Sequence, residues 1–356
     1  MKWLKHGWPM QGNYPKFATF KVKTIMESVG NICIVGGGTW GTALAKIVLM
    51  NQKHINWYIR RTEQIEKFYD LGHNPDYLTN VKFNLAQITF YSNLERAIKE
   101  SDTIILAIPS PFVKQYFRKI WNSVFRGKFI VSAIKGIIPN ENMVVSEYFA
   151  YNFKVPLENI GVLSGPCHAE EIALERMSFL TSACKDIQKA TVLADAIRSR
   201  ILHTAVSEDV TGIELASVLK NIYAIAAGVC QGLLYGDNFQ AVLMANCAKE
   251  MERFLREVVP LDRNICEQHY LGDMLATGYS QFSRNRTLGT MIGKGYSVKT
   301  AQLEMEMIAE GYYGAKCIVE MNRRFKIHIP IVNTVYRILY EKTSPKAEIE
   351  KLIEFF

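Results

Sequence analysis

The sequence lacks the signatures of several protein classes. Its seven cysteines include no C-x-x-C pair, and no Cys/His pair has zinc-ligand spacing. No apolar run approaches the roughly 18 residues of a membrane helix without a charged or strongly polar break. There is no internal repeat and no low-complexity tract. These absences argue against a disulfide scaffold, a metal site and a membrane span, and they favour free thiols in a reducing compartment.

Acidic residues are missing from the start of the chain. Lys and Arg number 42 against 34 Asp and Glu, which gives a formal charge of +8 over 356 residues. Residues 1–26 hold five lysines and no acid, so the other 330 residues carry only +3. A nucleic-acid binder usually keeps its basic excess on the folded domain. We therefore expect no nucleic-acid partner, whereas a small anionic substrate stays compatible with the charge.

Residues 1–29 show neither a helical nor a strand period. One interpretation is a basic arm that touches a membrane or an acidic surface. The other is a disordered extension, or a start codon placed too early, since Met26 could serve as the initiator. The segment has no apolar core of the kind a signal peptide needs. We expect a disordered extension, because chain termini are poorly ordered unless they are tied down.

A glycine-rich turn follows the first predicted strand, residues 31–35. Gly36, Gly38 and Gly41 fit the pattern G-x-G-x-x-G and lead into an apolar helical stretch, residues 42–50. Glycines at these positions allow a tight turn, close approach of a pyrophosphate, and close packing of helix on strand. The helix N-terminus adds N–H donors and a positive dipole. This context predicts a dinucleotide site, and the alternative is a glycine turn without a ligand.

Two arginines follow the second predicted strand, residues 55–59. Arg60 and Arg61 stand where an NAD site usually has an acid that holds the ribose 2′-hydroxyl. Guanidinium groups suit a 2′-phosphate instead, by charge and by their forked donors. The alternatives are that one or both are only solvated, or that one stacks on the adenine of either cofactor. We expect NADP(H) to be preferred, with NAD(H) possible.

Apolar strands continue to alternate with helices through the first half of the chain. Further strands are predicted at 103–108, 129–133, 160–164, 179–182 and 201–203, with helices at 111–121, 141–151 and 187–198. This alternation predicts an α/β, Rossmann-like, doubly wound and mostly parallel sheet over 30–205. Ligands bind beyond the carboxyl ends of such strands, where residues 109–110, 135–136 and 164–168 lie.

The second half, residues 206–356, is predicted to be an all-helical domain. A helix at 210–233 is apolar on most faces yet carries Lys220 and Asn221 in its middle. A buried lysine is costly unless it is paired, and its pKa shifts readily; alternatively its end reaches water. Other helices are predicted at 238–258, 284–293, 297–309, 313–325 and 330–341.

Residues 271–286 are predicted to form a loop that collects an acid, hydroxyls and arginines. That composition suits a phosphate-bearing substrate in the cleft between the two domains. The alternative is a solvated loop in which Ser283 only caps the next helix.

Several segments, in order along the chain, resemble the NAD(P)-dependent sn-glycerol-3-phosphate dehydrogenases of the soluble bacterial type. They are residues 36–45, 74–78, 132–136, 164–171, 214–221, 272–273, 283–286 and 310–311. The resemblance runs from about residue 32 to about residue 340. It implies reversible reduction of dihydroxyacetone phosphate to sn-glycerol 3-phosphate for glycerophospholipid synthesis, in a cytoplasmic homodimer without a metal and without stable membrane insertion.

The resemblance also implies roles for particular residues. Lys220 matches the catalytic lysine, the general acid in ketone reduction, while Lys135 matches a second active-site lysine and Asp273 an acid that holds substrate and lysine. The implied cofactor contacts are Gly36, Gly38, Thr39, Trp40, Gly41, Arg60, Arg61, Lys135, Ala169, Arg284 and Glu310. The implied substrate contacts are Lys135, Gly165, Cys167, Lys220, Asp273, Ser283, Arg284 and Asn285. Cys167 departs from the family pattern, which has Ser or Thr there.

Two other functions stay open on sequence alone. A related two-domain dehydrogenase of 3-hydroxy acids shares the glycine turn and a lysine in the helical domain, but does not require the phosphate-type segment 283–286. A catalytically silent NADP(H)-binding protein would need a lost catalytic group, whereas the lysines, the acid and the arginine are all present.

Overall fold

The computed structural model describes residues 28–305 and 308–356. The expected disordered extension therefore lies outside the described residues, apart from Ser28 and Val29. Val29 is buried, and its carbonyl accepts a hydrogen bond from Thr103 Oγ1 at 2.6 Å. The folded part thus begins before residue 30, because this carbonyl is tied to the first residue of a central strand.

A single eight-stranded sheet organises the first half of the described chain. Its strands are β1 (Ile32–Val35), β2 (Ile55–Tyr58), β3 (Ile88–Tyr91), β4 (Thr103–Leu106), β5 (Phe129–Ser132), β6 (Ile160–Ser164), β7 (Ser178–Cys184) and β8 (Leu202–Ser207). Their spatial order is β3-β2-β1-β4-β5-β6-β7-β8, and every pair is parallel except β6 with β7. The predicted doubly wound, mostly parallel sheet is confirmed. Strand β3 was not predicted, because the polar Thr89 interrupts its apolar residues.

Helices cover both faces of the sheet. They are α1 (Thr39–Leu49), α2 (Thr62–Leu71), α3 (Leu94–Lys99), α4 (Val113–Phe117), α5 (Val145–Phe153), α6 (Ala169–Ala173) and α7 (Ile187–Ile197). The helices predicted at 111–121 and 141–151 are shorter or shifted in the structure. Two separate apolar clusters result, one under α1 and α7 and the other under α3, α4 and α5.

The second half is all helical, as predicted. Its helices are α8 (Val210–Gly232), α9 (Asp237–Val258), α10 (Asp273–Tyr279), α11 (Arg284–Gly293), α12 (Val298–Glu304), α13 (Glu310–Phe325), α14 (Pro330–Tyr336) and α15 (Pro345–Ile353). Two corrections follow. The predicted loop at 271–286 contains α10, preceded by a π-helical turn at Gln268–Gly272. The helix predicted at 297–309 ends at Glu304.

Helix α8 is the centre of the helical domain. It is long and apolar enough to cross a membrane, but residues 212–230 are all buried by its neighbours. The Asp209 carboxylate caps it by accepting from Gly212 N at 3.1 Å. The same carboxylate accepts from Arg263 Nε and from the hydroxyl of Tyr270, which lies in the π-helical turn before α10. One buried acid therefore ties the starts of α8 and α10 together.

Glycines let α11 pack on α8 at backbone contact. A Cβ on Gly289 would lie 2.1 Å from the carbonyl oxygen of Ile225, and one on Gly228 would lie 2.1 Å from that of Arg286. Any larger residue would force the helices apart. This packing fixes where the first residue of α11, Arg284, lies relative to the middle of α8.

Candidate active site

A cleft of about 560 Å³ lies between the carboxyl ends of the strands and the helical domain. The predicted residues that line it are Gly36, Gly38, Thr39, Trp40, Arg60, Arg61, Lys135, Cys167, Ala169, Lys220, Ser283, Arg284, Asn285 and Glu310. Gly41, Gly165 and Asp273 do not line the cleft themselves, but Asp273 pairs with Lys220 and the carbonyl oxygen of Gly165 lies 3.4 Å from Lys135 Nζ. The structure thus brings residues from both halves of the chain to one cavity.

The three motif glycines have three different tasks. Gly36 adopts a φ of +130°, and a Cβ there would lie 2.5 Å from the carbonyl oxygen of Ala107. A Cβ on Gly41 would lie 2.1 Å from the carbonyl oxygen of Gly36, so this glycine allows α1 to approach the turn. A Cβ on Gly38 would meet no protein atom within 4 Å, so its side faces the cleft. Together with the N-terminus of α1, this open backbone fits a dinucleotide pyrophosphate.

Two buried amides support the turn, and sequence reasoning missed both roles. Asn74 donates to the carbonyl of Gly37 at 3.0 Å and to Thr42 Oγ1 at 2.7 Å. Gln64 donates to the same carbonyl at 2.9 Å. In the sequence, Asn74 stood out only as the first residue of segment 74–78. Nothing in that segment indicated that it contacts the carbonyl of Gly37.

The second predicted strand delivers Arg60 and Arg61 to the cleft with different surroundings. Arg61 pairs with Asp76 and donates to Gln64 Oε1 at 3.3 Å. The guanidinium carbon of Arg60 lies 5.7 Å from the centroid of the Tyr116 ring.

Lys220 and Asp273 form a buried ion pair at the bottom of the cleft. Both are 2% exposed, and Lys220 Nζ pairs with Asp273 Oδ2. The same carboxylate oxygen is 3.4 Å from Ser164 Oγ, which is 2.7 Å from Ser217 Oγ. Asp273 is the first residue of α10, which continues directly from the π-helical turn. The ion pair with Asp273 on another helix thus offsets the unfavourable burial of Lys220.

Burial and charge act against each other in this pair. Burial lowers the pKa of Lys220 to about 7, helped by the charge of Lys135 and opposed by Asp273. Burial opposes ionisation of Asp273, but the charges of Lys220 and Lys135 hold its pKa below the ordinary value. Lys220 therefore loses its proton more readily than an ordinary lysine, while the positive charges around Asp273 favour its ionised form.

Lys135 lies on the opposite wall, at the end of β5. Its Nζ is 3.4 Å from the carbonyl oxygens of both Gly165 and Cys167, and 5.1 Å from the centroid of the Trp40 ring. The Trp40 indole donates to the carbonyl of Ala133 at 2.9 Å. The side chain of Lys135 is thus held between the glycine turn and the end of β6.

Two cleft residues carry groups that are uncharged at neutral pH. Burial raises the pKa of the Cys167 thiol to about 12, so this residue stays a thiol. Burial lowers the pKa of His168 to about 4, with help from Lys135 and Lys220. His168 lines the cleft and was not predicted as a site residue.

Ser283, Arg284 and Asn285, at the start of α11, have three different surroundings. Ser283 Oγ caps the helix by accepting from Arg286 N at 3.3 Å, and Arg284 lines the cleft beside the helix N-terminus. Asn285 is buried, donates to Asn221 Oδ1 at 2.8 Å and accepts from Gly311 N at 2.9 Å. Cation and helix N-terminus together favour an anion at this point.

Side-chain hydrogen bonds join the two halves at the cleft. Asn221 Nδ2 donates to the carbonyl of Lys135 at 2.7 Å. Glu310, the first residue of α13, accepts from Ser110 N at 2.8 Å and from Ser110 Oγ at 2.5 Å. A Cβ on Gly136 would lie 2.4 Å from Glu310 Oε2, so these elements are in close contact. Asn221 and Ser110 were not predicted as site residues, yet they hold Lys135 and Glu310, which were.

Comparison with known proteins agrees with both halves of this architecture. Residues 31–190 match the family profile "NAD-dependent glycerol-3-phosphate dehydrogenase N-terminus", and residues 209–350 match the corresponding C-terminus profile. A glycerol-3-phosphate dehydrogenase (NAD(P)+) of Agathobacter rectalis is 32% identical over 329 residues, covering 92% of this chain and 96% of its own. One of Bacillus subtilis is 29% identical over 323 residues, covering 90% and 93%. The crystal structure of a glycerol-3-phosphate dehydrogenase from Coxiella burnetii superimposes with a TM-score of 0.83 at 26% identity, covering 91% and 99%.

Proposed function

The chain belongs to the NAD-dependent glycerol-3-phosphate dehydrogenase family, and from that premise we propose how its own residues carry out the reaction. The enzyme is an oxidoreductase that uses NAD(P)(H) to reduce dihydroxyacetone phosphate to sn-glycerol 3-phosphate, the precursor of glycerophospholipids. The observation that carries the residue assignment is the buried Lys220–Asp273 pair, which lies in one cleft with the glycine turn and Arg284.

The cofactor supplies the hydride when it is bound. The open backbone at Gly38 and the start of α1 hold its pyrophosphate, and Arg60 and Arg61 hold its adenosine end. Trp40 and Ala169 line the same cleft. Glu310 holds Ser110 at the end of β4, which keeps the two walls of the cofactor site together.

Lys220 provides the proton. Reduction of a ketone carbon places negative charge on its oxygen, so a donor must stand there. The Lys220 ammonium supplies both the positive charge and the proton, and in the reverse direction the neutral amine accepts the proton from the alcohol. Asp273 is a positioning residue in this scheme, since its carboxylate holds Nζ in place and favours the charged form. Lys135 adds a second positive charge on the facing wall.

Arg284 and the N-terminus of α11 bind the substrate phosphate. Guanidinium and phosphate form two parallel, charge-assisted hydrogen bonds, which fix the carbonyl carbon relative to Lys220. Ser283 and Asn285 shape this end of the cleft through the cap and through the contacts to Asn221 and Gly311. Gly165 and Cys167 contribute carbonyls that hold Lys135 beside the substrate.

We place the protein in the cytoplasm as a homodimer, as the family resemblance implies. All seven cysteines lie in the described part of the chain and none forms a disulfide, in keeping with a reducing compartment. Because α8 is buried by other helices, we assign this apolar helix to the core of the helical domain and not to a membrane. We also propose a preference for NADPH, on the strength of the two cations at the end of β2.

The test of this function is the fall in absorbance at 340 nm with dihydroxyacetone phosphate, run separately with NADPH and NADH. We expect turnover with both and a higher kcat/KM with NADPH. A folded protein that binds the nucleotides but turns over no dihydroxyacetone phosphate would reject the proposal. A rise in absorbance at 340 nm with a 3-hydroxy acid and NAD(P)+ would then indicate the related dehydrogenase, and no activity in either assay the silent binder.

The lowered pKa of Lys220 predicts opposite pH profiles for the two directions. Reduction needs the ammonium form, so kcat/KM for dihydroxyacetone phosphate should be constant below about pH 7 and fall up to tenfold per pH unit above it. Oxidation of glycerol 3-phosphate needs the neutral amine and should rise through the same range. Nucleotide affinity, measured over the same pH values, serves as the control. A reduction profile that stays flat up to pH 9 would contradict this assignment.

A further inference from the structure

Arg60 and Arg61 are neighbours in sequence, yet only one of them is paired with an acid. Arg61 Nη2 donates to Asp76 Oδ2, and Gln64 Oε1 lies 3.3 Å from the same nitrogen. Arg60 forms no ion pair with any described residue and instead lies by the ring of Tyr116. The two guanidinium groups therefore differ in how much positive charge they offer to a ligand.

Asp76 is held by the same residues that build the cofactor site. Its backbone N–H donates to Asn74 Oδ1 at 3.1 Å, and Asn74 is fully buried against the carbonyl of Gly37. Gln64, which contacts Arg61, donates to that carbonyl and to Asn74 Oδ1. The backbone of Asp76 thus has a position defined relative to the glycine turn, and from there its partly exposed carboxylate reaches Arg61.

The side of the cleft that carries Arg60 is strongly basic. A second cavity of about 210 Å³ adjoins the cleft there and shares Arg60 and Tyr116 with it. Arg118 and Lys119 also line this cavity, and none of the described residues lining it is acidic. Among the described residues, Asp76 is the only acid that forms an ion pair with either of the two arginines.

From these contacts we propose that Asp76 determines how strongly the enzyme discriminates between NADPH and NADH, an inference that rests on the proposed function. The two cofactors differ by a phosphate on the adenosine ribose, an anion that arginine binds through its forked donors. Asp76 occupies those donors on Arg61, so a 2′-phosphate has to compete with it. A 2′-hydroxyl can instead donate to the carboxylate. Asp76 therefore weakens NADPH binding and keeps NADH usable.

The test is the substitution Asp76→Asn, followed by fluorescence titration with NADPH and NADH at low ionic strength. Asparagine keeps the size of the side chain and removes its charge. We expect the Kd for NADPH to fall about two- to fivefold, the range of a partly exposed ion pair, with no fall in the Kd for NADH. The gain should shrink in high salt, because the charges are partly exposed. A ratio of the two Kd values that stays unchanged or shifts toward NADH would overturn the proposal.

Two further variants separate the role of Asp76 from a general charge effect. Asp70→Asn removes the same charge from an exposed position on α2 that forms no ion pair with the described residues, and it should leave the ratio unchanged. In an Arg61→Gln background, Asp76→Asn should change the ratio much less, since the competition with the 2′-phosphate acts through Arg61. An equal effect of Asp70→Asn, or an undiminished effect without Arg61, would overturn the assignment.

These titrations need no substrate, so they separate this inference from the proposed function. Wild-type protein that binds the nucleotides but reduces no dihydroxyacetone phosphate would reject the proposed reaction while the ratio still tests Asp76. Wild-type protein that binds neither nucleotide would overturn both.

Discussion

Replacing Lys220 by methionine is expected to lower kcat for dihydroxyacetone phosphate reduction by at least about 10³-fold. The variant removes both the proton donor and the positive charge at the developing alkoxide, and each of these contributes on the order of 10²-fold or more. NADPH affinity should stay within about threefold of wild type, because Lys220 belongs to α8 of the helical domain, whereas the glycine turn precedes α1 in the sheet domain. Steady-state kinetics and nucleotide titration measure the two quantities.

Loss of the ion pair also lowers the stability of the fold, so a second variant is needed to separate stability from catalysis. Lys220→Met leaves the buried Asp273 carboxylate uncompensated, which costs about 3–5 kcal/mol when one member of a buried pair is removed. The double variant Lys220→Met, Asp273→Asn removes both charges and should recover most of the stability without recovering activity. Lys249→Met, at an exposed position on α9, is the matched control. A folded double variant within tenfold of wild-type turnover would exclude Lys220 as the proton donor.

The glycine turn was predictable because its causes are local. A strand, three glycines in fixed spacing and a helix occur within 20 residues, and the steric reason for each glycine follows from that order. The structure confirms the strand, the turn and the helix, and shows the contacts that a Cβ at Gly36 or Gly41 would make. The long helix α8 was also predictable from local sequence, because a mostly apolar run of 23 residues is too long for one strand and is typical of a buried helix.

Partners distant in sequence were not predictable. The residue pattern alone predicted only that Lys220 needs a buried counter-charge or a path to water. The link to Asp273 came from the family resemblance, and the structure shows the ion pair. The residue pattern assigned Asp273 to a loop, because α10 has only seven residues and follows an irregular π-helical turn with Gly272 at its end. Arg60 and Arg61 were equivalent in sequence, and their difference depends on Asp76, which is 15 residues from Arg61 and held by Asn74.

Removing the Arg284 guanidinium is expected to lower kcat/KM for dihydroxyacetone phosphate by about 10²–10³-fold in the variant Arg284→Ala. A charge-assisted hydrogen bond contributes about 1.5–3 kcal/mol, and Arg284 is partly exposed, so we take the lower part of that range for each of two bonds. Together they contribute about 3–4 kcal/mol, and 1.4 kcal/mol corresponds to a factor of ten. Most of the loss should appear in KM, with a smaller fall in kcat because the phosphate also orients the reacting carbon. The KM for NADPH should change much less, which separates substrate binding from cofactor binding.

A second substrate shows whether the arginine acts on the phosphate. Dihydroxyacetone lacks the phosphate, so Arg284→Ala should reduce the preference for the phosphorylated substrate by the same factor of about 10²–10³ that it removes from kcat/KM. Arg286→Ala is the matched control, because Arg286 lies two residues further along α11 and does not line the cleft. If both arginine variants lowered the preference equally, the effect would come from the general positive charge of α11. The proposed direct contact between Arg284 and the phosphate would then be excluded. If only Arg284→Ala does so, the phosphate lies at the start of α11, and the backbone contact of α11 with α8 at Gly228 and Gly289 places the substrate's carbonyl beside Lys220.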